Sequence, residues 1–134
     1  MKNLAILLLI SGCVYFSACK KETQSEKFMF LTGPVWQSDS LLANGIDASG
    51  PGGFLENFKG EAKFNEDGTG TFGSFAGTWS FLYEETYIKI TADSLPVPGP
   101  LNVEIAELTG NSLKITTSYP TVPPITIRMT FKPK

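Results

Sequence analysis

Histidine and cysteine, two residue types that often carry out catalysis, are respectively absent from this chain and confined to its start. It has no histidine, and its two cysteines, Cys13 and Cys19, both lie in the first 19 residues. Without histidine the chain cannot build Ser-His-Asp or Cys-His nucleophilic arrangements, and the usual zinc sites lose a main ligand. We therefore expect a protein that is not an enzyme, with no catalytic residues, no metal site and no cofactor.

Paired carboxylates are the remaining candidates for acid–base chemistry. Glu66-Asp67 and Glu84-Glu85 each lie where a tight turn is predicted, and turns favour Asp and Gly for backbone reasons. The segment Asn65-x-Asp67-Gly68 resembles part of a calcium loop but lacks the later ligands of the twelve-residue motif. We interpret these residues as charged turn residues, and residues 65–68 as a hairpin turn.

The cysteine chemistry points to lipid attachment. Lys2 precedes an unbroken apolar run, residues 4–10, which is shorter than the ~20 apolar residues of a membrane-spanning helix. This layout is typical of a secretory signal peptide. Phe16-Ser17-Ala18-Cys19 resembles a bacterial lipobox, in which the cysteine is acylated and becomes the new N-terminus. The sequence therefore predicts a signal peptide over residues 1–18 and lipidation of Cys19.

Two alternatives to this cleavage site stay open. Ile10-Ser11-Gly12-Cys13 fits the lipobox slightly better at its first position, but cleavage there would leave a very short signal. An export signal without lipid attachment would need a cysteine at this place by chance.

The mature chain has the composition of one small domain. Cleavage before Cys19 leaves 116 residues, with ten basic and 13 acidic side chains and a net charge of −3. This balance gives no reason to expect nucleic-acid binding. Residues 19–30 begin with a charged, polar stretch and are predicted to be a lipidated flexible tether, followed by one domain over residues 31–134.

The domain has the two-residue alternation of β-strands. The fold class predicted is all-β, an eight-stranded antiparallel up-and-down barrel, because closing the sheet removes its exposed edges. Six large aromatic side chains are the candidates for the barrel interior: Trp36, Phe64, Phe72, Trp79, Phe81 and Phe131. They either fill the barrel or line a pocket for a small apolar ligand. The strands are expected at residues 35–42, 57–64, 69–75, 77–81, 87–92, 101–108, 112–119 and 125–131.

Alternate loops of such a barrel lie at the same end. The loops after strands two, four and six are mostly short and polar, whereas those after strands one, five and seven are longer and less polar. We therefore expect a closed end and an open end, with residues 43–54 and 93–100 together at the open one. Because binding surfaces favour such loops, the candidate contacts there are Phe54, Leu95, Val97, Tyr119 and Val122.

At this point the chain resembles the lipocalin-like domain of many small bacterial lipoproteins. The likeness lies in Trp36, in Asn44-Gly45-Ile46-Asp47 and in Gly77-Thr78-Trp79-Ser80-Phe81. It continues in Phe64-Asn65-Glu66-Asp67-Gly68-Thr69, in Glu107-Leu108 and in Asn111-Ser112-Leu113-Lys114-Ile115. The resemblance implies an eight-stranded calycin-type barrel. The chain departs from true lipocalins at Gly33-Pro34-Val35-Trp36, where they have Gly-x-Trp.

The expected function follows from the anchor and the barrel. We expect a lipoprotein held in the cell envelope by its lipid, with the membrane as one partner. Lys20 after the cysteine favours the outer membrane, by resemblance to bacterial sorting rules. The barrel is expected to bind either a small hydrophobic molecule or an envelope protein at the open end. The alternative is a structural accessory protein with a filled barrel.

Overall fold

The described part of the chain is a closed β-barrel with a short helix before it. The structure is a computed structural model, and it describes residues 24–96 and 99–134. In these residues the elements are α1 (Glu26–Thr32), β1 (Trp36–Ala43), β2 (Ile46–Asp47), a 3-10 turn (Glu56–Phe58), β3 (Glu61–Phe64), β4 (Thr69–Phe72), β5 (Phe75–Leu82), β6 (Tyr87–Ala92), β7 (Leu101–Leu108), β8 (Leu113–Tyr119) and β9 (Ile125–Pro133).

Eight of the nine described strands form the barrel wall. Strands β3 to β8 each pair antiparallel with the next one along the chain, and β1 pairs with β3 on one side and β9 on the other. The closing pair β1–β9 runs from Trp36 opposite Pro133 to Ala43 opposite Ile127. The two-residue strand β2 is a hairpin extension of β1. The predicted all-β, eight-stranded antiparallel barrel is therefore confirmed.

Alternation of side chains explains why these segments form the wall. In β9 the apolar Ile127, Met129 and Phe131 are buried, whereas Arg128 and Lys132 on the opposite face are exposed. Successive side chains of a strand point to opposite faces, so an apolar side chain at every second position of each strand is enough to fill the barrel. Of the six candidate interior aromatics, five are buried and the sixth, Phe81, is half-buried against the core; the five are Trp36, Phe64, Phe72, Trp79 and Phe131.

Helix α1 closes one end of the barrel. Its N-cap is Ser25, whose hydroxyl oxygen accepts from the backbone N–H of Phe28 at 3.1 Å. Leu31 is fully buried, and its carbonyl oxygen accepts from Trp36 Nε1 at 3.0 Å. The helix lies at the end formed by turns 65–68, 83–86 and 109–112, which we call the closed end.

The predicted tether over residues 19–30 is wrong in its last part. Residues 26–30 belong to α1 instead, and Phe28 packs on Trp79 with ring centroids 5.8 Å apart. Four of the seven helical residues, 28–31, are apolar and adjacent, so they do not show the three- to four-residue spacing of a helix. The sequence therefore does not predict this helix. Packing on the barrel stabilises a helix too short to be stable alone.

Two strand boundaries also differ from those predicted. The second predicted strand, 57–64, begins only at Glu61, because residues 56–58 form the 3-10 turn. The third, 69–75, ends at Phe72, and Phe75 already belongs to the next strand. Gly73, with φ of +60°, makes the tight turn between them. The other predicted strands match to within a few residues.

Trp79 allows a test of the core. Its ring meets Phe64 and Phe81 edge-on, with centroids 5.7 and 5.3 Å away, and its Nε1 donates to the carbonyl oxygen of Asn65 at 2.9 Å. Trp79→Ala should lower the free energy of unfolding by about 3–5 kcal/mol, measured by urea titration. The exposed control Thr71→Ala should change it by less than about 0.5 kcal/mol. A loss below about 1 kcal/mol for Trp79→Ala would contradict this packing.

Candidate functional site

The open end brings together loops that are far apart in sequence. The Phe54 and Tyr119 rings meet edge-on with centroids 4.9 Å apart. The Tyr119 hydroxyl donates to the carbonyl oxygen of Pro96 at 3.2 Å. Residues 43–54 and 93–96 therefore lie at the same end as the β8–β9 loop, as the sequence predicted.

The five candidate contact residues have different positions in the structure. Phe54, Leu95 and Tyr119 are half-buried and pack against the core, so they stabilise this end rather than line a free surface. Val122 is fully exposed in the β8–β9 loop. Val97 lies outside the described residues.

A loop that the sequence predicts only as far as residue 54 covers the open end. This covering loop, residues 48–60, buries Leu55 and Phe58 to 1% and 7% exposure. Leu55 and Phe58 are three residues apart, which is the spacing of a 3-10 turn and differs from the two-residue alternation of a strand. That spacing was the available signal.

Backbone hydrogen bonds hold the covering loop at both its ends. The N–H of Ala48 donates to Leu41 at 2.9 Å, and the N–H of Ser38 donates to Gly60 at 2.8 Å. In the middle, Ser74 N–H donates to Asn57 at 2.8 Å. Because β3 and β4 have only four residues each, the barrel wall is low on that side, and the covering loop fills the gap.

The interior of the barrel is filled by side chains. Within the part that the structure describes, two interior cavities measure about 20 and 10 Å³. Each is about the size that holds one water molecule, whereas ligand pockets are typically hundreds of Å³. Phe58 of the covering loop borders both of them. Of the two interpretations of the aromatic residues, the packed core therefore fits the geometry.

Larger hollows, lined by both polar and apolar atoms, lie on the outer wall. One hollow, of about 190 Å³, lies along the part of β1 beyond its hydrogen bonds to β3. Its lining includes Ser38 and Asp47. The Asp47 carboxylate there accepts from the hydroxyl of Ser49 at 2.6 Å and from its backbone N–H at 2.9 Å. These bonds lower the pKa of Asp47. The resulting stabilisation is present at neutral pH and is lost as the pH falls through that lowered pKa.

A second outer hollow, of about 220 Å³, crosses β6 to β9. Its lining consists of Tyr87, Asn102, Glu104 and four hydroxyl residues, Thr116, Thr117, Ser118 and Thr126. Both hollows lie on the outside of a wall whose buried apolar side chains point inward.

The paired carboxylates lie in turns. Asp67 accepts from the hydroxyl of Thr69 at 2.7 Å and from its N–H at 3.0 Å, and these bonds lower the pKa of Asp67. Asn65 N–H donates to the Thr69 carbonyl at 2.8 Å, which makes residues 65–69 a hairpin turn. Glu85 accepts a hydrogen bond from the N-cap residue Ser25, so this carboxylate connects the β5–β6 turn to α1.

No protein-family model matches the chain, and a search of curated proteins likewise gives no match. Among the residues that the structure describes, no helix has both the length and the apolar character needed to cross a bilayer.

The filled interior leads to a binding test. Phe58→Ala should join the two cavities, lower the free energy of unfolding by about 3–5 kcal/mol and create an apolar space that takes up benzene. Thermal unfolding with and without benzene measures the uptake. The unaltered protein and the exposed-site control Met29→Ala should show no benzene-dependent rise in Tm. An equal rise in the unaltered protein would mean that the barrel already has room for a ligand.

Proposed function

We propose that this protein is a lipid-anchored lipoprotein of the cell envelope, with a lipocalin-like barrel that binds a protein partner at its open end. It is not an enzyme in this proposal. The observation that carries the proposal is the filled interior of the barrel that residues 24–96 and 99–134 form, which favours binding on the outer surface. The largest interior cavity described is about 20 Å³, so a small hydrophobic ligand would have to displace the covering loop.

The lipid anchor rests on the residues around Cys19. The apolar run 4–10, the small residues before Cys19 and the polar residues after it support export and acylation. The first described residues enter the fold at the closed end through α1, and the last residue is there too, because Lys134 N–H donates to Val35 at 2.8 Å. An anchor at Cys19 would therefore leave the open end directed away from the membrane, which we propose to be the outer membrane.

The open end offers an exposed apolar surface of the kind that a protein can cover. Ile46 at the β1–β2 hairpin is 72% exposed, and Val122 is fully exposed. Asn44 pairs with Thr126 through both its backbone N–H, at 2.8 Å, and its side-chain oxygen, at 2.9 Å. These bonds hold the Ile46 hairpin beside the strand that follows the Val122 loop.

The proline residues of this loop favour binding. Pro120, Pro123 and Pro124 restrict the backbone around Val122. A loop that is already restricted loses less conformational entropy when it binds, so more of the contact energy appears as affinity.

The anchor can be tested at the two cysteines. Cys19→Ser should give an unacylated protein, because the thiol of Cys19 is the proposed lipid acceptor. Cys13→Ser should still be acylated, since Cys13 lies in the removed segment. Mass spectrometry of the mature N-terminus measures both. A lipidated Cys13 in the unaltered protein would contradict the proposed cleavage site.

The partner can be tested by placing a photo-crosslinking amino acid at Val122 or Ile46 in living cells. We expect one discrete protein adduct, shared by both positions, because both side chains lie exposed at the open end. The matched control is Thr71, an exposed position on the barrel wall, which should give no such adduct. The adduct from Val122 should disappear in the Ile46→Asp background. Equal adducts from Thr71, or none from Val122 and Ile46, would contradict the proposal.

A further inference from the structure

The closed end has an exposed apolar surface of its own. Among the described residues, the large hydrophobic side chains that are exposed are Met29, Ile46, Tyr83 and Val122. Two of them, Ile46 and Val122, lie at the open end. The other two, Met29 at 52% exposure and Tyr83 at 70%, lie at the closed end, where the chain enters the fold.

The position of α1 determines which way Met29 faces. The helix contacts β3 and β7, which are four strands apart in the ring of eight and therefore lie on opposite sides of the barrel. It thus lies across the end of the barrel. Phe28 and Leu31 face the interior, so Met29 and Glu26, which are exposed, face outward from this end.

Tyr83 lies beside the point at which the chain enters α1. Ser25 and Lys27 both donate to Glu85, two residues after Tyr83; the Lys27 bond to the Glu85 carbonyl measures 3.1 Å. Tyr83, Glu84 and Glu85 all have left-handed backbone angles, with φ of 51°, 55° and 64°. Such conformations are unfavourable for non-glycine residues and persist where contacts hold them. Here the contacts with α1 hold the turn that carries Tyr83, whose ring meets the Tyr87 ring edge-on with centroids 5.3 Å apart and stays 70% exposed.

The distance to the proposed anchor limits what can cover this surface. Six peptide units separate Cys19 from Ser25, so the chain between them spans at most ~20 Å. A lipid on Cys19 would therefore keep the closed end within that distance of the bilayer surface. Tyrosine is a residue that prefers the boundary between lipid and water, and a flexible methionine side chain adapts to an irregular apolar surface.

We infer that the closed end is a membrane-docking surface, in which Met29 and Tyr83 contact the lipid headgroup region of the anchoring bilayer. This inference rests on the proposed lipid anchor. Glu26 and Glu84 are exposed on the same end, so the contact is shallow and their carboxylates stay in water. Docking would hold the barrel upright and keep Ile46 and Val122 away from the membrane.

The test uses the full acylated chain bound to phosphatidylcholine vesicles, which carry no net headgroup charge. An environment-sensitive fluorophore is attached to a new cysteine at one of three places: Met29, Asn111 in the closed-end turn 109–112, or Val122 at the open end. Vesicles that contain a headgroup-attached quencher should quench labels at Met29 and Asn111 severalfold more than a label at Val122. The Met29 label should also emit at shorter wavelength on vesicles than in buffer.

Substitutions then test the two side chains themselves. With the reporter at Asn111, the double variant Met29→Gln and Tyr83→Asn should lose most of the quenching while staying on the vesicles. Asparagine tolerates a left-handed backbone, so this variant should fold. The matched control, Ile46→Gln with Val122→Asn at the open end, should keep the quenching.

The outcomes separate this inference from the proposed anchor. If the protein is not acylated or does not stay on vesicles, the lipoprotein proposal is wrong. If it stays bound while labels at Met29 and Val122 are quenched equally, or while the double variant keeps the quenching at Asn111, the docking surface is wrong and the anchor stands. If the Val122 label is quenched most, the open end faces the membrane, which overturns the inference.

Discussion

The pairing of the first barrel strand with the last is the interaction on which the rest of the structure depends. Strand β1 pairs with β9 from Trp36 to Ala43 and with β3 at only two residues, Trp36 and Gln37. Without β9 the sheet would have two open edges. The same pairing fixes the number of strands at eight, so the interior is narrow enough for side chains to fill it. It also brings the first and last described residues to one end.

Two short segments outside the regular strands complete the core. Helix α1 closes one end with Phe28 and Leu31, and the covering loop closes the other with Leu55 and Phe58. Each segment is joined to the wall by specific polar contacts, among them the Lys63 side chain, which donates to the Thr32 carbonyl at 2.5 Å. Both the closed end and the open end of the barrel are therefore covered by side chains. For this reason the outer surface is the proposed site of binding.

The sequence predicts the wall well and the two closing segments poorly, for a physical reason. Strands such as 87–92 and 125–131 alternate strictly, and this pattern depends only on which face of the sheet is buried. Helix α1 and the turn Glu56–Phe58 are too short to show a period, and they are stable because they pack on the barrel. The sequence also predicts which loops share an end. Whether Phe54, Leu95 and Tyr119 point outward or fold back onto the core depends on contacts between distant loops, which no local pattern contains.

The two tryptophans have a spectroscopic consequence. Trp36 Nε1 donates to the last turn of α1 and Trp79 packs on Phe28, so both indoles lie at the closed end and touch or adjoin the helix. Indole emission depends on its immediate surroundings. The intrinsic fluorescence of this protein therefore reports on how α1 packs against the barrel. A movement of the covering loop at the open end would leave that fluorescence unchanged.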